Sequence, residues 1–340
     1  MTESAPLALT MGEPGGIGAE LALKAWRARH DQGVPPFLMI DEPARLATVA
    51  KTLSLDCRII EVGAPGEAAA RFDSGLPVLP LGLRVAATPG QAEAKNASAV
   101  IASIERAVRL VQDGEAAAVI TNPIQKQSLY EAGFKYPGHT EFLAALAGGG
   151  IEPVMMLASA ALRVVPVTIH LPLGKAVAAL TQRAIEHCGR VTAEALRRDF
   201  GIAAPRLAVA GLNPHAGEAG SMGREEIEII EPAIETLRQG GLDATGPYPA
   251  DTLFHARARA GYDAVICMYH DQALIPLKTI DFDSGVNVTL GLPFVRTSPD
   301  HGTALDIAGR GVARPESLIA ALKLARHMAD ARARYQGGRR

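Results

Sequence analysis

Ala264-Val-Ile-Cys-Met-Tyr-His270 is a short apolar run that ends on an imidazole. Two other stretches have the same form: Val164-Val-Pro-Val-Thr-Ile-His170 and Leu207-Ala-Val-Ala-Gly-Leu-Asn-Pro-His215. Each run is too short for a helix and reads as a buried strand with a histidine just past its carboxyl end. In open α/β sheets, ligands bind outside the carboxyl ends of the strands. Three imidazoles there could meet on one divalent cation and leave positions open for substrate. Each could equally be a lone polar residue at a strand end, because the spacing is no compact metal signature. Neutral imidazole suits Zn, Co, Mn or Fe better than Mg, although an Asp or substrate oxygen can shift that preference.

Working outward, β-type runs alternate with helical ones. Strands are expected at Leu7–Thr10, Phe37–Ile40, Arg58–Val62, Ala117–Thr121, Val154–Ala158, Leu162–Ile169, Arg206–Gly211, Tyr262–Tyr269 and Val286–Leu290. Helical periodicity covers Ala19–Arg29, Gln91–Asp113, Glu141–Leu146, Lys175–Arg198, Arg224–Arg238 and Ser317–Arg334. This alternation predicts an α/β architecture with a mostly parallel or mixed sheet. With no repeat and no long linker, two domains made by a chain that crosses back and forth suit the pattern.

The chain has 340 residues, 48% hydrophobic and 21% charged, so a sizeable core is available and wholesale disorder is excluded. A net charge of -2 argues against a nucleic-acid partner. The basic end, Arg332 to Arg340, reads as a solvated terminus. Val154–Leu173 is apolar but interrupted by Arg163, Pro166, His170 and Pro172, so no membrane span is expected. Three scattered cysteines, Cys57, Cys188 and Cys267, and no basic leader at Met1–Pro6 point to the cytoplasm.

Other residues suit an anionic ligand. Lys278, Asn287 and Arg296 follow His270 at intervals of about ten, and placed after strands they would hold a phosphate. Gly138-His139-Thr140-Glu141 opens a helix, with Thr140 as its cap, and a helix N-terminus favours anions. Surface charge and simple capping are the plain alternatives. The turn Gly12-Glu-Pro-Gly-Gly-Ile-Gly18 is neither GxGxxG nor a P-loop, and supports only a tight strand-to-helix turn.

Taken together, Gly12–Gly18, Gly138–Phe142, Gly211–Glu218, Pro249–Phe254, Met268–Gln272, Val286–Pro293 and Arg296–Ala304 resemble the 4-hydroxythreonine-4-phosphate dehydrogenase family, over residues from about 7 to 330. His301-Gly-Thr-Ala-Leu-Asp-Ile-Ala-Gly-Arg-Gly-Val-Ala-Arg-Pro315 is also similar to the coenzyme loop of isocitrate and isopropylmalate dehydrogenases. Leu305 stands where that loop usually has Pro, and Arg314 where it has Asn.

The resemblance implies a two-domain isocitrate/isopropylmalate dehydrogenase-like fold, mixed sheets flanked by helices, and an interdomain cleft. We expect residues 1–130 plus 290–340 in the larger domain and 131–289 in the second, which carries the metal ligands and the dimer interface. It implies metal binding by His170, His215 and His270, the last from the partner subunit of a homodimer with a shared active site. It implies substrate binding by His139, Thr140, Lys278, Asn287 and Arg296, and NAD or NADP binding by His301, Gly302, Thr303, Ala304 and Asp306. One divalent metal (Zn, Co, Mn or Mg) is expected per site. Asp251 and Lys278 are the catalytic candidates; for Asp251 the alternative is a helix N-cap. The reaction implied is oxidation of 4-phosphooxy-L-threonine at C3 followed by decarboxylation. The rivals are a paralogous dehydrogenase of 4-phospho-threonate or erythronate, a three-histidine metal hydrolase, and a non-catalytic binding protein.

Overall fold

The computed structural model describes residues 5–338. Part of the leader reading, at Met1–Ser4, and the tail's last two arginines lie outside the described residues. Twelve strands occur among the described residues. In chain order they are β1 (Leu7–Thr10), β2 (Phe37–Ile40), β3 (Ile59–Glu61), β4 (Leu76–Leu79), β5 (Val119–Ile120), β6 (Val154–Ala158), β7 (Arg163–Pro166), β8 (Arg206–Ala210), β9 (Asp243–Tyr248), β10 (Ala264–Cys267), β11 (Val286–Leu290) and β12 (Arg296–Pro299). The architecture is α/β, as the alternation predicts.

The chain forms two compact units. One takes the chain up to Pro153 together with Leu292–Ala329; the other takes Val154–Gly291 and the stretch from Asp330 onward. The expected boundaries differ in two places, each with a physical reason. Helix His139–Leu146 belongs to the first unit, because Phe142, Leu143 and Ala144 join a core with Val100, Ile104 and Val108 of helix Ala97–Gln112. The chain's end belongs to the second unit, where Arg332 grips Asp199 with Nε and Nη2 at 2.6 and 2.8 Å. Asp199 is 1% exposed; burial pushes its carboxyl up, but the hydrogen bonds and charges of Arg332 and Arg198 outweigh this and hold it below the usual range.

In the first unit the strand order is β3-β4-β2-β1-β5-β12 and the pairings are parallel. In the second it is β11-β6-β7-β10-β8-β9. There β6 pairs antiparallel with β11 and β7, while β7-β10-β8-β9 run parallel. Helices pack on both sets of strands: Ala97–Gln112 against β1 and β2, and Gln182–Arg198 against β6, β8 and β10.

Two helices are shorter than their periodicity suggests. The helix expected at Gln91–Asp113 starts at Ala97. Asn96 is buried, and its side chain exchanges two hydrogen bonds with the backbone of Ala86, which turns it away from a helical role. The helix expected at Lys175–Arg198 breaks into Leu173–Ala179 and Gln182–Arg198. Leu180 turns into the core in extended backbone, and the Thr181 hydroxyl caps the second helix by accepting from the Ala184 N–H at 3.2 Å.

Candidate active site

The parallel run β7-β10-β8-β9 orders the chemistry of the second unit. His170 lies four residues past β7, His270 three past β10, His215 five past β8 and Asp251 three past β9. The carboxyl ends of four neighbouring parallel strands therefore each carry a candidate ligand or acid. Hydrogen bonds fix those ends. The Thr168 hydroxyl donates to the Met268 carbonyl at 2.8 Å. The buried Gln272 side chain accepts from the Met268 N–H and donates to the Gly211 carbonyl, both at 2.7 Å.

His170 and His270 come together. Their ring centroids are 5.8 Å apart, and both line a cavity of about 260 Å³ with Tyr269 and Asp271. Two imidazoles bound to one tetrahedral cation at about 2.0–2.1 Å place their centroids roughly 5 Å apart, close to this arrangement. Asp271 Oδ1 lies 2.7 Å from His270 Nδ1, a carboxylate contact that orients a ligand imidazole. Both rings belong to one chain, whereas the resemblance assigns His270 to the partner subunit. Among the described residues, no three His, Cys, Asp or Glu side chains already stand in a cation-holding group. His215 is exposed on its own turn and makes no ring contact with His170 or His270 among the described residues. The chemistry of the donor set fits a divalent cation, and two of its three members are paired.

The turn that carries His215 is unusual. His215 through Ala219 take φ values of 53°, 52°, 77°, 42° and 55°, a left-handed stretch of which Gly217 alone is a glycine. Non-glycine residues in this region cost about 1–2 kcal/mol each. A buried carboxylate holds the turn: Glu226 Oε1 accepts from the Leu212 and Asn213 N–H groups at 2.8 and 2.7 Å, and its Oε2 from Asn213 Nδ2 at 2.9 Å. Glu226 is 1% exposed. Glu226 is not picked out by the sequence reading and Gln272 enters it only as the end of the Met268–Gln272 segment, with no role, since each acts on backbone that adjoins a histidine.

Lys278 and Asn287 do not follow strands as expected. Lys278 sits inside helix His270–Ile280, two turns past His270, with its ammonium 5.6 Å from the Phe282 ring. Asn287 lies within β11, paired with Leu157 of β6. Asp251 is exposed in a 3-10 turn at Ala250–Thr252 and makes no side-chain capping bond.

In the first unit, Arg296 opens β12 and is 4% exposed. Its Nε and Nη2 donate to Thr121 Oγ1 at 3.2 and 2.5 Å, and burial lowers its pKa to about 10, so it stays a cation at neutral pH. His139 begins helix His139–Leu146; the N-cap is Gly138, without a side-chain cap, and Thr140 is the second helical residue rather than the cap. Burial, then Arg296 and Lys126, hold the His139 ring well below the usual histidine range. Its Nε2 is shut off from water with no hydrogen-bond partner among the described residues. A neutral ring with an orphaned buried nitrogen beside a buried guanidinium is suited to an incoming oxyanion.

The loop from His301 packs against the glycine-rich turn. The Ile17 N–H donates to the Thr303 carbonyl at 3.1 Å, and a Cβ on Gly16 would stand 2.8 Å from that oxygen. These glycines therefore admit the protein's own backbone. Ala304 has φ +47°, and burial lowers the His301 pKa and leaves its Nε2 without a partner among the described residues. Gly302 and Asp306 are exposed. Gly16, Pro89 and Gly309 border a cavity of about 580 Å³ with apolar walls from Val49, Leu53 and Val85. An exposed glycine-rich loop beside such a cavity fits a dinucleotide.

Known proteins resemble this chain in sequence and fold. A family model described as pyridoxal phosphate biosynthetic protein PdxA matches residues 32–325. The 4-hydroxythreonine-4-phosphate dehydrogenase of Methylorubrum populi is 56% identical over 335 residues, covering 97% of this chain and 96% of that protein. The crystal structure of 4-hydroxythreonine-4-phosphate dehydrogenase from Klebsiella pneumoniae superposes with a TM-score of 0.85 at 38% identity, covering 96% of this chain and 100% of that one. A terephthalate 1,2-cis-dihydrodiol dehydrogenase from Burkholderia xenovorans matches at a TM-score of 0.64 and 29% identity, over 94% of this chain and 97% of that one.

Proposed function

This chain belongs to the PdxA family of pyridoxal phosphate biosynthetic proteins, and from that premise we propose that it is a dehydrogenase of 4-hydroxythreonine 4-phosphate (4-phosphooxy-L-threonine). The product is 2-amino-3-oxo-4-phosphooxybutanoate, which loses CO₂ to give 3-amino-2-oxopropyl phosphate. The observation that carries the chemistry is the row of His170, His270, His215 and Asp251 at four neighbouring strand ends.

When bound, NAD or NADP would supply the hydride acceptor for C3, and a divalent cation (Zn, Co, Mn or Mg) would supply Lewis acidity at the C3 oxygen. His170 and His215, with His270 contributed by the partner subunit, would hold that cation, and Asp271 keeps the His270 ring in one orientation. Asp251 takes the hydroxyl proton. Arg296 binds the substrate phosphate through its planar fork, with His139 and Thr140 at the helix start and Lys278 and Asn287 as further polar contacts. Holding the non-reacting phosphate converts remote binding energy into orientation of C3. His301, Gly302, Thr303, Ala304 and Asp306 would hold the coenzyme, beside the cavity of about 580 Å³ that Gly309 borders. The active form is a homodimer with the active site shared between its subunits. Cys57, Cys188 and Cys267 are all unpaired, which suits work in the cytoplasm.

The test uses metal-free protein, 4-hydroxythreonine 4-phosphate and either coenzyme, with each metal added in turn while absorbance of the reduced coenzyme is followed. Metal-dependent reduction is expected, and His215→Ala should abolish it while the protein stays folded. Full activity in His215→Ala would remove the metal assignment. Faster reduction with 4-phospho-threonate would move the substrate to the paralogous reading.

A further inference from the structure

Lys126 belongs to no motif picked out in the sequence, yet it stands at the His139 turn. It is the first residue of helix Lys126–Glu131 and is exposed. A methyl group built on Gly138 would meet both its Cε and its Nζ at 3.5 Å. The ammonium therefore lies against the backbone that starts helix His139–Leu146. The Glu141 carboxylate approaches the same point, also at 3.5 Å, but Lys126 makes no ion pair or hydrogen bond among the described residues.

Three nitrogen groups of different character thus bear on one turn. Arg296 offers a buried fork steadied by Thr121. His139 offers a ring nitrogen with no partner. Lys126 offers an uncommitted point charge, and its field, like that of Arg296, reaches the His139 ring. Lysine and arginine are complementary here, because the fork fixes an oxyanion's orientation and the ammonium adds charge without demanding geometry. Two cations suit a phosphate, which carries about -1.5 to -2 charge at neutral pH, better than a carboxylate.

We propose that Lys126 is a further substrate-binding residue, the second cation that holds the substrate's phosphate with Arg296 at the Gly138–Thr140 turn. This rests on the phosphorylated substrate argued above and adds to it the residue that selects phosphate over carboxylate.

Full-length wild type, Lys126→Met and Lys126→Arg are compared in two measurements. In steady-state assays with 4-hydroxythreonine 4-phosphate, Lys126→Met should raise KM roughly 10- to 100-fold, as for loss of a charge-assisted hydrogen bond. Its kcat should stay within about threefold. Lys126→Arg should recover part of the KM. In the second, binding of inorganic phosphate is followed by calorimetry without metal or coenzyme. Lys126→Met should bind at least about tenfold more weakly than wild type. This second readout stands even if wild type fails to oxidise the proposed substrate. Equal phosphate affinity in wild type and Lys126→Met, or no phosphate binding by wild type, would overturn the assignment. So would a kcat loss with unchanged KM, which marks a structural or chemical role instead.

Discussion

His139 and His301 are both shifted down by burial, and His139 further by the charges of Arg296 and Lys126. The shift has a defined sign in stability. Above the unfolded value of about 6.5 such a histidine is uncharged in both states, and its contribution to stability is intact. As pH falls below that value the unfolded chain takes up the proton first, and the folded state loses ground until the lowered folded pKa is reached. The melting temperature should therefore drop between pH 7 and pH 5 more steeply in wild type than in His139→Gln/His301→Gln. Parallel slopes would mean that neither ring is held neutral. Functionally, the same rings remain hydrogen-bonding groups of fixed charge across the working pH range.

Among the elements, the left-handed turn at His215–Ala219 is the one whose shape depends on a single side chain. Glu226→Ala leaves the Leu212 and Asn213 N–H groups without their acceptor and removes one of the two carboxylates that Asn213 Nδ2 donates to, and should lower stability by roughly 2–4 kcal/mol. It should also weaken cobalt binding by the whole protein, because His215 loses its fixed backbone. A urea midpoint and a cobalt titration read the two effects separately, and unchanged values in both would remove the clamp. This turn also shows where sequence reading stops. The apolar runs before His170, His215 and His270 declare strands, and their parallel order places the histidines at one edge. The left-handed backbone does not declare itself, because four of its five residues are not glycine and the carboxylate that imposes it lies eleven residues past His215. β12, Arg296-Thr-Ser-Pro299, is hidden for a related reason: its polar side chains are buried because Arg296 bonds Thr121 and Thr297 bonds the Ala321 carbonyl. β9, Asp243-Ala-Thr-Gly-Pro-Tyr248, carries a Gly-Pro pair that reads as a loop.

For the whole molecule, the second unit exposes large apolar side chains at Leu173, Ile275 and Phe282, which are 61%, 63% and 73% accessible. In the homodimer proposed above, exposed groups of this size would be covered. Ile275→Asp should shift the protein toward monomer in light scattering at micromolar concentration, with loss of turnover but little change in the metal-free melting temperature. A dimer as tight as wild type would place the contact elsewhere. The chain's path has another consequence, for synthesis on the ribosome. The first unit lacks β12 until the chain has passed Leu292, and Asp199 lacks its partner until Arg332 has been added. At about 5–20 residues per second, a nascent chain that has reached Pro153 waits roughly 7 to 28 s for the strand that completes its sheet. During that interval β5 is an unfinished edge, so the polypeptide should depend on chaperones while it is being translated, and ribosome-bound fragments ending before Leu292 should be cut by protease where the released protein is not.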